Sequence, residues 1–232
     1  MFKVDAVGRE NGLAEIERSG VHVGNLLWLN AFTLREPDRW AAQREALQDV
    51  LNVARNLAAD CVYITTGPPD GLLADAAAEA FARAVEPVLD YSRAIGVPLA
   101  VEHNHASRRD IGFIYTLREM IEYALEIDVK VCVELQNCWV ERHLERLIRD
   151  GVDSFALVQV SDWVLGDEVP DRAVPGDGIV PLTTIIEWLL DAGYRGAFDI
   201  EMRGPRIDAE GLERAVLRAA EWLSETLNRL GA

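Results

Sequence analysis

Four polar side chains stand near the ends of runs that are otherwise apolar: Glu102 in VEHNH, Glu134 in VELQN, Gln159 in VQVSD and Glu201 in IEMRG. They are separated by 32, 25 and 42 residues, near the roughly 30 residues that one strand–helix unit of a parallel α/β barrel occupies. If each ends a parallel strand, all four open on one mouth. Three carboxylates meeting there cannot all ionise without a counter-charge, because each raises the pKa of the others. Such a site needs a cation, a nearby arginine or a shared proton.

Further residues with chemical potential lie close in sequence to these four. His103 and His105 follow Glu102, where an imidazole can bind a hydroxyl or carry a proton. Asp162 comes shortly after Gln159, and Arg172 precedes a Pro175-Gly176-Asp177-Gly178 turn. Trp28, Trp139 and Trp163 lie near strand ends, where together they can wall a partly apolar pocket. His22 and His143 are assigned no role.

The elements that must position these residues are short apolar runs alternating with longer helical patterns. Strands are expected over residues 21–29 (VHVGNLLWL), 61–65 (CVYIT), 98–102 (PLAVE), 130–135 (KVCVEL), 155–160 (FALVQV) and 197–202 (AFDIEM). They are apolar almost throughout and rich in β-branched residues, as in parallel strands buried on both faces. Between them, apolar residues recur at one-face helical spacing: Trp40, Leu47, Val50, Leu51 and Ala54, then Phe81, Val85, Val88 and Leu89. Thr116 and Glu119 are spaced as a capping box. Gly193 follows Leu189 and Leu190 as a helix stop, and Asp208 is placed to cap a final helix. Repeated strand–helix units imply a parallel sheet with right-handed crossovers. No GxGxxG or Walker loop follows any strand, which favours a barrel over a nucleotide-binding open sheet.

Composition narrows the function classes. The formal net charge of −16 argues against nucleic acid and against anionic membrane surfaces as partners, though not against a divalent cation. Cys61, Cys132 and Cys138 are odd in number and form no CxxC pair, so buried thiols in a reducing compartment are expected. The N-terminus MFKVDAVGRE has no apolar signal segment, and no run approaches the roughly 20 apolar residues of a membrane span. The expectation is one soluble, cytoplasmic domain over residues 1–232.

The stretch VQVSDW…DRAVPGDGIVPLTTIIEWLLDAGYRGAFDIEM, residues 158–202, resembles the xylose-isomerase-like barrels, also called the sugar phosphate isomerase/epimerase or endonuclease-IV-like superfamily. Gln159, Asp162, Arg172, the Pro175–Gly178 turn, the Gly193-Tyr194-Arg195-Gly196 turn and Glu201 occupy the places of that family's pattern, and VEHNH matches its Glu-bearing strand. The resemblance runs from about Gly20 to the C-terminus.

It implies a (β/α) barrel of the TIM type with one divalent ion held at the strand ends by Glu102, Glu134, Gln159 and Glu201. Glu102 and Glu201 would be the proton-transferring pair, and His105, Asp162, Trp163 and Arg172 would contact substrate or support the site. The sequence departs from the family at Glu134, where Asp is usual, at Gln159, where His is usual, and at Asn137, where a second His often follows. An all-oxygen set suits Mn²⁺ or Mg²⁺ rather than zinc.

The implied activity is metal-assisted isomerisation or epimerisation of a small polyhydroxylated ketone or aldehyde. Dehydration of a hydroxy-ketone, as in dehydroshikimate dehydratases, and a non-catalytic barrel subunit are the alternatives. With only four histidines, the histidine-rich DNA-repair chemistry of the superfamily is not expected. Only six strands are recognisable, so the first one or two strands of the family barrel are expected to be missing. A homo-oligomer or partner subunit is expected to cover the open edge.

Overall fold

The computed structural model describes residues 2–166 and 171–232. Two helices, α1 (Phe2–Ala6) and α2 (Arg9–Ser19), precede the first strand, β1 (Asn25–Leu27). Strand–helix units follow in order: α3 (Trp40–Asn56), β2 (Cys61–Thr65), α4 (Ala74–Ile95), β3 (Leu99–Glu102), α5 (Leu117–Ile127) and β4 (Lys130–Glu134). Next come α6 (Leu135–Cys138), α7 (Leu144–Gly151), β5 (Phe155–Val160), α8 (Leu182–Asp191), β6 (Ala197–Ile200), α9 (Pro205–Glu210) and α10 (Leu212–Leu230).

All six strands are parallel and lie in sequence order, so every connection passes to the next neighbour through helices. This is a partial TIM-type barrel. Alternate residues face opposite sides of each strand. Val62, Ile64, Val101, Val131, Val133, Val158 and Val160 face the helices and join the main core with Leu47, Leu51, Phe81, Val85, Met120 and Ile186. Cys61, Tyr63, Ala100, Cys132 and Leu157 face the other way and form a small interior cluster, with Leu27 and Ala197 packed against it. Burial on both faces accounts for the near-absence of polar residues in these strands. The three cysteines are free and buried.

The sheet curls far enough for its edges to approach. A Cβ built at Gly24, just before β1, would lie 3.2 Å from the Cβ of Ala197 at the start of β6. Among the described residues no hydrogen-bonded ladder joins β6 back to β1. Glycine at 24 thus avoids a tight contact between the two edge strands at their base.

Local signals explain most boundaries. The Thr116 hydroxyl accepts the Glu119 N–H at 3.1 Å and caps α5. Gly96 ends α4 in the left-handed conformation, which glycine adopts without steric cost. Three expectations need correction. The strand expected over 21–29 is paired only from Asn25 to Leu27, because the sheet edge offers a neighbour on one side alone. The helices before β1 carry no strong apolar stripe and were not expected. Asp208 does not cap the last helix but lies inside α9, and Gly211 at φ 95° separates α9 from α10.

Candidate active site

Alternation along the strands carries one more layer of residues past the interior cluster, and that layer is polar. Register pairs Thr65 with Glu102, Glu102 with Cys132, Glu134 with Gln159, and Gln159 with Asp199. Glu201 lies two residues beyond Asp199, on the same side. The expected strand-end set is therefore brought to one mouth. Glu102, Glu134 and Gln159 are buried, and the Glu201 side chain is 31% exposed.

The mouth opens into a cavity of about 250 Å³ lined by Trp28, Tyr63, Glu102, His105, Arg172 and Glu201, among others. A larger cleft of about 560 Å³ lies at the opposite strand ends, along Leu89, Val97, Leu99 and Val129. Its walls are mainly apolar, and barrel chemistry gathers at the C-terminal strand ends, so the smaller cavity is the candidate site.

Arg172 occupies the centre of the constellation. Its Nη2 donates to Glu134 Oε2 at 2.8 Å and lies 3.5 Å from Glu201 Oε1. Its Nε donates to the Ser161 hydroxyl at 3.2 Å. Burial alone would lower the pKa of this guanidinium, but Glu134, Glu201 and Glu102 together hold it above its ordinary value. Glu134 is engaged on both oxygens, since Oε1 also accepts the Gln136 N–H at 3.0 Å and the Ser161 hydroxyl at 3.3 Å. Burial, then Glu201 and Glu134, push Glu102 well above the usual carboxylate range, against the pull of Arg172 and a hydrogen bond from Asn104. Burial also raises Glu201, to about 7, with Arg172 opposing and Glu134 adding to the rise. Glu102 is thus held towards its acid form, while Glu201 gains and loses its proton near neutrality.

Several buried polar atoms at the mouth have no hydrogen-bond partner among the described residues: Glu201 Oε2, Gln159 Nε2, Asn104 Oδ1 and Trp28 Nε1. Such atoms are rare in folded proteins and costly where no partner meets them. Their convergence marks a place built to receive a polar molecule.

The remaining expected residues divide. His105 lines the cavity, and its Nδ1 bonds the Ser107 hydroxyl at 2.9 Å. Partial burial lowers its pKa, so it is neutral at physiological pH. Asp162 does not line the cavity. Its carboxylate accepts four backbone N–H groups, from Trp163 at 2.8 Å and from Gly176, Gly178 and Val180 at 3.0 Å each. A Cβ at Gly178 would lie 2.3 Å from Asp162 Oδ1, so the turn closes on the carboxylate only with glycine there. Asp162 also pairs through its backbone with Ala173, next to Arg172. It positions the arginine from outside the pocket. Trp163 and Trp139 pack against the main core, and of the three tryptophans only Trp28 lines the cavity.

Other residues at the site were not singled out from sequence. Ser161 continues the alternation two residues past Gln159, and Asp199 precedes Glu201 by the same step. Tyr63 and Thr65 do likewise in β2 and line the cavity. Asn104 reaches Glu102 at 3.2 Å, and Gly112 leaves it room, since a Cβ there would sit 1.9 Å from Asn104 Oδ1. His103, which the sequence did offer as a hydroxyl-binding or proton-carrying imidazole, is fully buried: its Nε2 accepts the Glu134 N–H at 3.2 Å, and burial lowers its pKa to about 4. It is a packing residue that fixes the end of β4.

The expected divalent-ion shell can be tested against these bonds. A hard ion takes about six oxygen ligands. Here Glu134 is paired with Arg172, and Gln159 Oε1 accepts the Cys132 thiol at 3.2 Å. Among the described residues no group of three His, Cys, Asp or Glu side chains is arranged to hold a metal. The set Glu102, Glu134, Gln159 and Glu201 does not fit as an ion shell, because a guanidinium already bonds its second carboxylate.

Comparison with known proteins agrees with the geometry. The family model described as xylose isomerase-like TIM barrel matches residues 4–226. A protein from Sinorhizobium meliloti is 22% identical with a TM-score of 0.80, the match covering 94% of this chain and 83% of that one. The 3-keto-D-glucoside 4-epimerase of E. coli is 16% identical with a TM-score of 0.70, covering 93% and 84%. A protein solved with a bound zinc atom, IolI, is 12% identical with a TM-score of 0.75, covering 95% and 83%. At these identities the likeness is one of fold. Comparison with curated proteins gives no match.

Proposed function

The chain belongs to the xylose isomerase-like TIM barrel family, and from that premise we propose that it is an isomerase or epimerase of a small polyhydroxylated ketone or aldehyde. The observation that carries the reading is the pair Glu102 and Glu201: two carboxyls on one cavity, one held towards its acid form and the other able to ionise near neutrality. A likeness in fold to a sugar epimerase supports the same class. The cavity of about 250 Å³ suits a substrate smaller than a typical drug-sized ligand.

Glu201, raised only to about 7, is ionised in part at neutral pH and serves as the base in its carboxylate form. It takes the proton from the carbon next to the carbonyl, and the electron pair moves onto the carbonyl oxygen to give an enediolate. Glu102 supplies a proton from its carboxylic acid, to the opposite face of the same carbon for an epimer or to the neighbouring carbon for an isomer. Assistance by Mn²⁺ or Mg²⁺, implied by the resemblance, is not carried into this reading, because Glu134 and Gln159 are bonded to Arg172 and Cys132.

The test is hydrogen exchange. Ketoses and hydroxy-ketones are incubated with the protein in D₂O, and deuterium entering the carbon next to the carbonyl is followed by NMR. The expected result is exchange that Glu201→Gln and Glu102→Gln each reduce by about 10²- to 10⁴-fold. A product that has lost water would make the protein a lyase instead. Full exchange in both variants would remove the assignment.

A further inference from the structure

We infer that the guanidinium of Arg172 takes the place and the charge of a divalent ion, so that the chemistry of this pocket runs without metal. The inference rests on the proton-transfer reading for its catalytic part, but its structural part stands alone. Arg172 is 7% exposed and bonds the Glu134 carboxylate, the Ser161 hydroxyl and, at longer range, Glu201. Its backbone is fixed as firmly as its side chain: the Arg172 N–H donates to Arg203 O at 3.2 Å, and the next residue pairs with Asp162 in both directions. A charge anchored at both ends behaves as part of the fold rather than as a mobile surface cation.

The guanidinium already supplies the counter-charge of one carboxylate in the site. Arg172 and Glu134 form a neutral pair at 2.8 Å. Glu102 and Glu201 are left to carry the transferred protons. A divalent ion among these carboxylates would stand beside a buried guanidinium, and like charges at that range repel strongly where water is excluded. It would also have to displace the hydrogen bonds that hold both Glu134 oxygens. Gln159 offers in their place only an amide oxygen already accepting the Cys132 thiol.

Arg172 lines the cavity as well as the carboxylate cluster. Its fixed positive charge therefore acts on negative charge developing on a carbonyl oxygen bound there, the task a Lewis-acid ion performs elsewhere. Preorganisation by Ser161, Glu134 and the Asp162 turn means that no side chain has to reorient as the charge forms.

The experiment is Mn²⁺ titration of the chelator-treated wild-type chain, followed by calorimetry and electron paramagnetic resonance. Thermal melting with and without Mn²⁺ and the metal content of the purified protein are measured alongside. The expected result is no stoichiometric Mn²⁺ site, no shift in melting temperature and substoichiometric metal. A companion variant, Arg172→Met combined with Gln159→His, removes the guanidinium and restores an imidazole, and is expected to gain one Mn²⁺ per chain.

One Mn²⁺ or zinc bound per wild-type chain, and lost in Glu134→Gln, would overturn the inference. The wild-type titration decides even if the companion variant fails to fold. Hydrogen exchange measured on the same chelated sample separates the two proposals. Exchange without metal sustains both, whereas no exchange with or without Mn²⁺ defeats the proton-transfer reading and leaves the metal result to stand by itself.

Discussion

Two carboxylate sites, Asp162 on one side and Glu102 with Glu201 on the other, are treated in opposite ways. Asp162 is 1% exposed and has both oxygens filled by four backbone N–H groups. Glu201 lies 3.5 Å from a guanidinium that already bonds Glu134, its Oε2 has no partner among the described residues, and Glu102 accepts a hydrogen bond from Asn104. Backbone donors are fixed and cannot be withdrawn, so they tie the Asp162 side chain to its turn and turn it into architecture. A carboxyl that burial and like charges leave short of partners keeps its proton, and a retained proton is available for transfer. The contrast separates a residue that builds the site from those proposed to work in it.

The comparison predicts opposite outcomes for mutation at the two places. The largest effect is expected for Glu201→Gln, which should cut hydrogen exchange by about 10³-fold while leaving the circular dichroism spectrum unchanged. Asp162→Ala should act on the fold instead. It strands four backbone donors beneath the Pro175–Gly178 turn and should cost about 3 kcal/mol in urea unfolding, with a loss of exchange that follows the displacement of Arg172. If Asp162→Ala unfolded no more easily than wild type yet lost exchange, Asp162 would belong among the working residues. Gly112→Ala should have a smaller effect, because its Cβ meets only Asn104. Displacing Asn104 removes the hydrogen bond to Glu102 and should slow exchange by about fivefold, one such bond being worth about 1 kcal/mol.

The fold was legible because burial on both faces forces a single pattern, and six apolar runs in CVYIT, LAVE, KVCVE and their neighbours satisfy it. The positions of Glu102, Glu134, Gln159 and Glu201 were legible for the same reason: a polar residue ending such a run stands out. What the sequence left unread was how the charges pair. Spacing places Arg172 on a loop but does not show its guanidinium reaching across to Glu134, a contact between residues 38 apart. Nor does it distinguish Asp162 from the glutamates, because the four donors that claim it are backbone N–H groups that any residue type supplies. Gly24 and Ala197 carried no readable signal of the edge approach, which depends on the curl of the whole sheet.

The same contrast appears in how stability depends on pH. The Glu201 pKa is raised from 4.5 to about 7 in the folded chain, so the folded state binds this proton more tightly than the unfolded one. Its contribution to stability is therefore full below about pH 4.5 and is lost as the pH rises through about 7. Replacing Glu201 by Gln removes a charge that the fold disfavours. At pH 8 the variant should be more stable than wild type by about 1–2 kcal/mol, a figure discounted for the 31% exposure of the side chain. At pH 4.5 the two should unfold alike. Exchange by the wild type should rise with pH as Glu201 ionises and fall again once Glu102 loses its proton, whose pKa is raised well above the carboxylate range. Urea titrations at the two pH values check the first statement and a pH–rate profile the second. A variant that is less stable than wild type at pH 8 would mean that Glu201 serves Arg172 as a structural partner, and the division between building and working carboxylates would have to be redrawn around Glu102 alone.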